Sequence, residues 1–227
     1  MIKSGIDQDA LVKMFSEATA KQGEALRKAV GDATLKALQG RELTLDNIRK
    51  VLKSVTQAAS LGAAQNQASP VDVEEMLGKA FAGMDSALLQ AVEANRKALQ
   101  QFVDQGAGLQ EKQLKSALDG IEKMEDMFFT TVRKAASGAG DSMQGPWTHV
   151  LETMKLKGTD TGAKASSAVE DLLAKSQEAM REGRAAGMRG ARAMLDGYAA
   201  LVSGVLIGMS EGLQSGAAKP AAKTARK

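Results

Sequence analysis

The stretch LTLDNIRKVLKSVTQAAS sets Leu45, Ile48, Val51, Leu52, Val55 and Ala59 at helical steps of three and four. That spacing keeps one face of a helix turned towards a partner. The same periodicity recurs along most of the chain, which leaves little room for anything but helices packed on helices. Composition agrees. Ala, Lys, Glu, Gln, Leu and Met are abundant, there are only three prolines, and β-branched residues seldom follow one another, so propensity favours helix and no segment reads as a strand. One Trp, one Tyr and five Phe cannot fill a thick core, whereas small side chains suit thin layers of helix on helix. The expected fold is all-α, an elongated bundle of long amphipathic helices with a disordered basic C-terminal tail.

The first periodic segment runs from about Asp7 to Gln39, with Leu11, Phe15, Ala18, Gln22, Ala25, Ala29 and Ala33 on its stripe and Gly40 as its stop. A second helix opens at Thr44. Ser69 and Pro70 stand as the N-cap and first residue of a third, since proline's fixed φ suits that position and its missing N–H costs nothing there. Its stripe continues through Val73, Leu77, Phe81, Met84, Leu88, Val92, Leu99 and Phe102, is weakened or bent at Gly106 and Gly108, and resumes as Leu114, Leu118, Ile121, Met124, Phe128 and Val132. The Gly- and Ser-rich SGAGDSMQGP predicts a flexible loop over 137–146. It divides an N-terminal helical region, 1–136, from a C-terminal one, 147–214, and a tail follows at 215–227. In the C-terminal region a short helix spans Trp147 to about Leu156, and a long one runs from about Thr161 to Leu213. The long one places Gly183, Gly187, Gly190, Met194, Tyr198, Leu201, Val205, Gly208 and Gly212 in one sector, opposite Arg181, Arg184, Arg189 and Arg192.

The most apolar run, YAALVSGVLIGM, lies in that last helix. Its uncharged stretch, from Gly197 to Ser210, is roughly 21 Å long as a helix, short of the ~30 Å of a bilayer core, so no transmembrane span is expected. Leu206 and Ile207 fall off the glycine face, and the segment therefore needs cover on more than one side. That cover could be the chain's own helices, a second copy in a homo-oligomer, or an oily surface. Gly204, Gly208 and Gly212 recur every four residues and let another backbone approach closely. The candidate contact residues are Tyr198, Leu201, Val202, Gly204, Val205, Leu206, Ile207, Gly208, Met209 and Gly212.

Reactive chemistry is sparse. With no cysteine, disulfides, thiolate metal sites and cysteine nucleophiles are excluded, and a reducing cytoplasm fits. The amino terminus lacks the apolar core of a secretory signal. His149 has no second His or Cys to complete a metal site or a nucleophile–base pair. Glu74 with Glu75, and Glu122 with Glu125, lie among lysines at helical spacing and read as solvated ion-pair faces. GAGDSMQG lacks the Lys-Ser/Thr ending and the preceding strand of a phosphate loop. No catalytic residue, metal or cofactor is expected.

Formal net charge is +3, and the excess is local. Setting aside Lys219, Lys223, Arg226 and Lys227 leaves 26 basic residues against 27 acidic ones. The ending AAKPAAKTARK has no apolar residue larger than alanine and cannot bury itself. Its four cations suit either solubilisation or contact with a DNA backbone by counterion release.

This mix of Ala-, Met- and Gln-rich amphipathic helices, scarce aromatics, no cysteine and an Ala-Lys-Pro-Ala-Ala-Lys ending resembles the phasins and phasin-like proteins of bacteria that store polyhydroxyalkanoate. RELTLDNIRKVLKSV, Arg41 to Val55, and YAALVSGVLIGMSEGL, Tyr198 to Leu213, are also similar to a bacterial helical family without an assigned function. The phasin resemblance implies a non-enzymatic protein that coats a polymer or lipid granule through its helices, with a basic end that in some relatives tethers granules to the nucleoid. The alternative is a soluble, oligomeric helical scaffold or nucleoid-associated protein that never meets a granule. The two differ in what the apolar run and the tail touch.

Overall fold

The computed structural model describes residues 6–19, 22–39, 43–66, 69–104, 111–182, 202, 205–207 and 209. Among them the chain is all-α. Eight helices follow one another: α1 (Gln8–Glu17), α2 (Gly23–Gln39), α3 (Leu45–Gln65), α4 (Pro70–Asp104), α5 (Glu111–Glu122), α6 (Met124–Ala136), α7 (Asp141–Lys157) and α8 (Asp160–Glu182). The principal packings are α2 on α4, α1 on α3, α8 on α4 and α6 on α3, with α7 laid against α4 and α6. α4 is 35 residues long, roughly 52 Å at ~1.5 Å per residue, and is the spine that most other helices touch.

Short polar side chains fix the helix starts. The Asp7 carboxylate accepts the Ala10 N–H at 3.0 Å, the Thr44 hydroxyl accepts from Asn47 N–H at 3.3 Å, and the Ser69 hydroxyl accepts from Asp72 N–H at 3.3 Å. Each satisfies one of the amide groups that a helix start leaves without an internal partner. Asn66, just past the end of α3, reaches back to α1. Its side-chain amide donates to the carbonyls of Phe15 and Ala18 at 2.7 and 2.9 Å and closes the end of α1, while its backbone N–H donates to the Ala63 carbonyl at the end of α3.

The expected single helix from Asp7 to Gln39 is two helices. Ala18 is extended, at φ −68° and ψ 145°, and the Gln22 side chain accepts the Thr19 N–H at 3.0 Å. This is the reach-back half of a capping box. The break resets the helical phase. α2 buries Leu26, Val30, Leu35 and Leu38, while Gln22 and Ala25, which the continuous stripe placed inward, are exposed. Leu and Val bury more apolar area than Ala and Gln, so they decide which face turns in.

The expected loop over 137–146 is also shorter, because α7 starts at Asp141 and Pro146 lies inside it. Gly140 adopts φ +97° just before the helix, and Met143 is buried one turn ahead of the proline, so packing holds that turn helical. The carbonyl that Pro146 cannot bond is that of Ser142, four residues back, where the chain is exposed to water. A short turn at Lys123 separates α5 from α6 within what the pattern presented as one stripe. The helix expected from about Thr161 is observed as α8 as far as Glu182; the glycine and arginine faces beyond it, 183–200, lie outside the described residues.

One hydrophobic cluster runs through both halves of the chain, from Leu11 and Phe15 through Ile48, Leu52, Leu77, Phe81 and Phe128 to Trp147, Val150 and Leu172. The rings of Phe81 and Phe128 stack with centroids 4.4 Å apart, and Phe129 lies 5.4 Å from Phe81. Trp147 is fully buried, and its indole N–H donates to the Ser60 hydroxyl at 2.9 Å, which pins α7 to α3. Glycine lets two helix pairs approach at backbone distance. A Cβ on Gly83 would meet the Arg27 carbonyl oxygen at 2.5 Å and the Gly31 nitrogen at 3.1 Å. A Cβ on Gly62 would overlap the Val12 carbonyl.

Candidate functional site

Of the residues in the apolar C-terminal run, Val202, Val205, Leu206, Ile207 and Met209 are described, in helical conformation. Val202 and Leu206, four residues apart, belong to the shared core at 2% and 0% exposure. Val205 and Met209 are partly buried and packed against it. Ile207 is 39% exposed. The run therefore splits as its period requires, with one edge covered by the chain's own core and Ile207 facing outward. Tyr198, Leu201, Gly204, Gly208 and Gly212 lie outside the described residues, as do the tail cations Lys219, Lys223, Arg226 and Lys227.

The chemistry that periodicity missed lies where α8 meets α4. Asp85 is buried on α4, yet its carboxylate accepts the backbone N–H groups of Asp160 and Thr161 at 3.0 and 3.1 Å. The Thr161 hydroxyl in turn donates to the Asp85 carbonyl at 3.0 Å. A carboxylate at this place satisfies orphan amides and complements the positive end of the α8 dipole. Burial pushes the Asp85 carboxyl above its ordinary value; the bonds from Thr161 and Asp160 oppose that shift. Beside it the Thr159 hydroxyl accepts from Gly162 N–H at 2.9 Å and donates to the Glu125 carboxylate of α6. Two turns further along α4, Glu93 takes a forked pair of bonds from Arg96 at 2.7 and 2.9 Å and a salt bridge from Lys164 of α8 at 3.2 Å. Those partners, Arg96 foremost, hold the Glu93 carboxyl down to about 2. Glu125 is thus an acceptor between helices and not a member of a solvated ion-pair face.

A groove of about 400 Å³ opens between α2, α4 and α7. Its floor is Gly78, Ala82, Val150 and Met154, and its rim carries Glu24, Arg27, Glu74, Glu75, Lys79 and His149. Several rim groups meet one another: Lys79 pairs with Glu24, Arg27 lies 3.6 Å from Glu24, and the His149 imidazole lies 3.8 Å from the Glu74 carboxylate. Lys79 lowers the Glu24 carboxyl below its usual value. Glu74 therefore reaches across to α7, where a spacing argument confined to one helix would not look.

Among the described residues, no group of three or more His, Asp or Glu could hold a metal ion, and no helix is long and apolar enough to cross a membrane. The sequence profile of DUF6781, a family of unknown function, matches residues 1–215. The chain belongs to this family. The match takes in α1 to α8 and the apolar run and leaves only the last twelve residues, 216–227, outside it. No curated protein matches the chain, and no solved structure matches it.

Proposed function

We propose that this protein works by binding and catalyses no reaction, as a helical scaffold whose apolar faces are closed on one another until a partner or surface draws them out. The observation that carries this reading is the shared core: the stripes of α1 to α8 and the inner edge of the apolar run all end in one interior. Among the described residues only Leu61, Leu156, Leu173 and Ile207 expose a large hydrophobic side chain. Two of the carboxylates with displaced affinities, Asp85 and Glu93, are occupied in tying α8 to α4, and the third, Glu24, is engaged by Lys79 and Arg27.

The partner we favour is a hydrophobic surface, a storage polymer or a lipid droplet, which is what the phasin resemblance implies. Leu156, 90% exposed, and Ile207 give such a surface a first foothold on the closed bundle. At ~25 cal/mol per Å², an opened amphipathic helix can then hold to an oily phase without any pocket. The tail cations would add contact with nucleic acid. The second reading, a soluble scaffold that stays closed, draws on the burial of Val202 and Leu206. A fluorescent fusion followed in cells with and without storage polymer separates them. Surface binding gives rings on granules, weakened by Ile207→Asp and kept when the chain is cut at Ala217. Diffuse signal in polymer-filled cells refutes it. Ile207 is the better probe than Val205, because an aspartate at Val205 would also disturb packing.

A further inference from the structure

The eight helices are not held alike. α1 to α4 and α6 interlock through Leu, Ile, Val, Met and Phe, with Phe15, Ile48, Leu52, Phe81 and Phe128 buried. Among the described side chains, which in α8 end at residue 175, this helix offers the core a thinner stripe of Thr161, Ala165, Ala168 and Leu172, with Val169 at its edge. An alanine side chain removes far less apolar surface from water than a leucine or phenylalanine does. What holds α8 in register is polar and concentrated in its first turns: the Asp85 carboxylate on its amides, Glu125 on Thr159 and Glu93 on Lys164.

These contacts also fix its direction. Asp85 meets residues 160 and 161, and Glu93 meets 164, so α8 runs parallel to the second half of α4. Two parallel helix dipoles lie side by side unfavourably, and a carboxylate at the start of one of them is the compensating charge. A pivot precedes the helix. Gly158 sits at φ +75°, a conformation that side chains rarely adopt, with nothing within 4 Å of where a Cβ would be. Lys157 and Gly158 are both exposed. Gly162 completes the fastening, since the Glu125 carboxylate occupies the place its Cβ would take.

We propose that α8 is a strap, fastened to α4 and α6 by the Asp85, Glu93 and Glu125 carboxylates and pivoting at Gly158, that opens as a unit while α1 to α4 stay folded. The α4 face it covers carries Leu88 and Val92, one and two turns on from Asp85, both fully buried. Opening the strap is the step that presents this apolar face, so its use rests on the surface-binding reading above. The strap itself does not.

Amide hydrogen exchange on the full chain tests the strap directly. In the native protein residues 163–175 should exchange well ahead of α3 and α4. Asp85→Ala should speed that exchange roughly five- to tenfold, the loss of one helix cap, with α3 unchanged. Asp85→Asn, which keeps an oxygen facing the amides, should recover much of the protection. Gly162→Ala should act like Asp85→Ala by displacing Glu125. Equal protection of α8 and α3 in the native protein overturns the proposal, and so does a uniform rise across all helices in both variants. Partition of the same variants onto phosphatidylcholine-coated triolein droplets is read separately. If exchange in α8 rises and droplet binding does not, the strap stands and the surface-binding reading falls.

Discussion

Trp147 shows how much one side chain decides in a chain with so few aromatics. It is fully buried, and its indole N–H reaches Ser60 on α3, whose hydroxyl donates on to the Thr56 carbonyl at 2.8 Å. Trp147→Ala should lower stability by about 3–5 kcal/mol, the range for emptying a large aromatic site. Trp147→Phe should cost less, with about 1 kcal/mol of it from the lost hydrogen bond. Denaturant unfolding of the three proteins checks both values. Glycines divide just as sharply. Gly83→Ala places a methyl against the Arg27 carbonyl and should destabilise by about 1–3 kcal/mol through overpacking. Gly120→Ala, inside α5 with nothing within 4 Å of the new methyl, should stabilise by about 0.5–1 kcal/mol from helix propensity. Thermal melts with opposite shifts would bear out the pair. None of these glycines stood out in the sequence, because a helical glycine looks the same whether it faces water or a crossing backbone. The lone tryptophan did, and its place near the start of a helix was legible, though not its reach to Ser60.

At the scale of the element, the stripes Ile48 to Ala59 and Val73 to Leu99 were fully legible, since long runs of large apolar residues allow only one phase. The break at Thr19 was written as Thr-x-x-Gln and could have been found by the capping-box rule. A run of alanines on both sides hid it, for alanine is too small to say which way a helix faces. The expected start of α7 at Trp147, just after Pro146, is too late, because burial of Met143 carries the helix back to Asp141. The α4–α8 tie was not legible at all, because its carboxylates lie far along the chain from the amides and cations they meet. It has a pH signature. Glu93 is held down to about 2, so the native chain keeps that charge where the unfolded chain has already taken up a proton. Its stabilising share is complete above the ordinary carboxylate range and is lost as pH falls towards 2. Asp85 acts in the opposite sense. Raised by burial, it binds its proton more readily when folded, so its share falls as pH rises through its titration. Below the ordinary carboxylate range, stability followed by circular dichroism should therefore fall more steeply with pH than in a chain without the Glu93 tie. Glu93→Gln should flatten the low-pH limb, and an unchanged limb would show that the pair contributes nothing.

At the scale of the whole molecule, the described helices have spent most of their apolar faces on one another. The sequence carried that much, since every stripe needs a partner and the uncharged stretch of the most apolar run is too short for a membrane. It could not say which stripes meet, and so left open whether the run from Tyr198 to Met209 meets protein or something else. Val202 and Leu206 meet protein; Ile207 faces outward. The account stands on closed faces that must open to bind. With no native cysteine in the chain, Glu93→Cys together with Lys164→Cys allows α8 to be joined to α4 by a short, reducible bismaleimide. Binding to polymer beads or lipid droplets is then compared before and after reduction. The account predicts that the joined protein stays in solution and binds once the link is cut; equal binding in both states would contradict it.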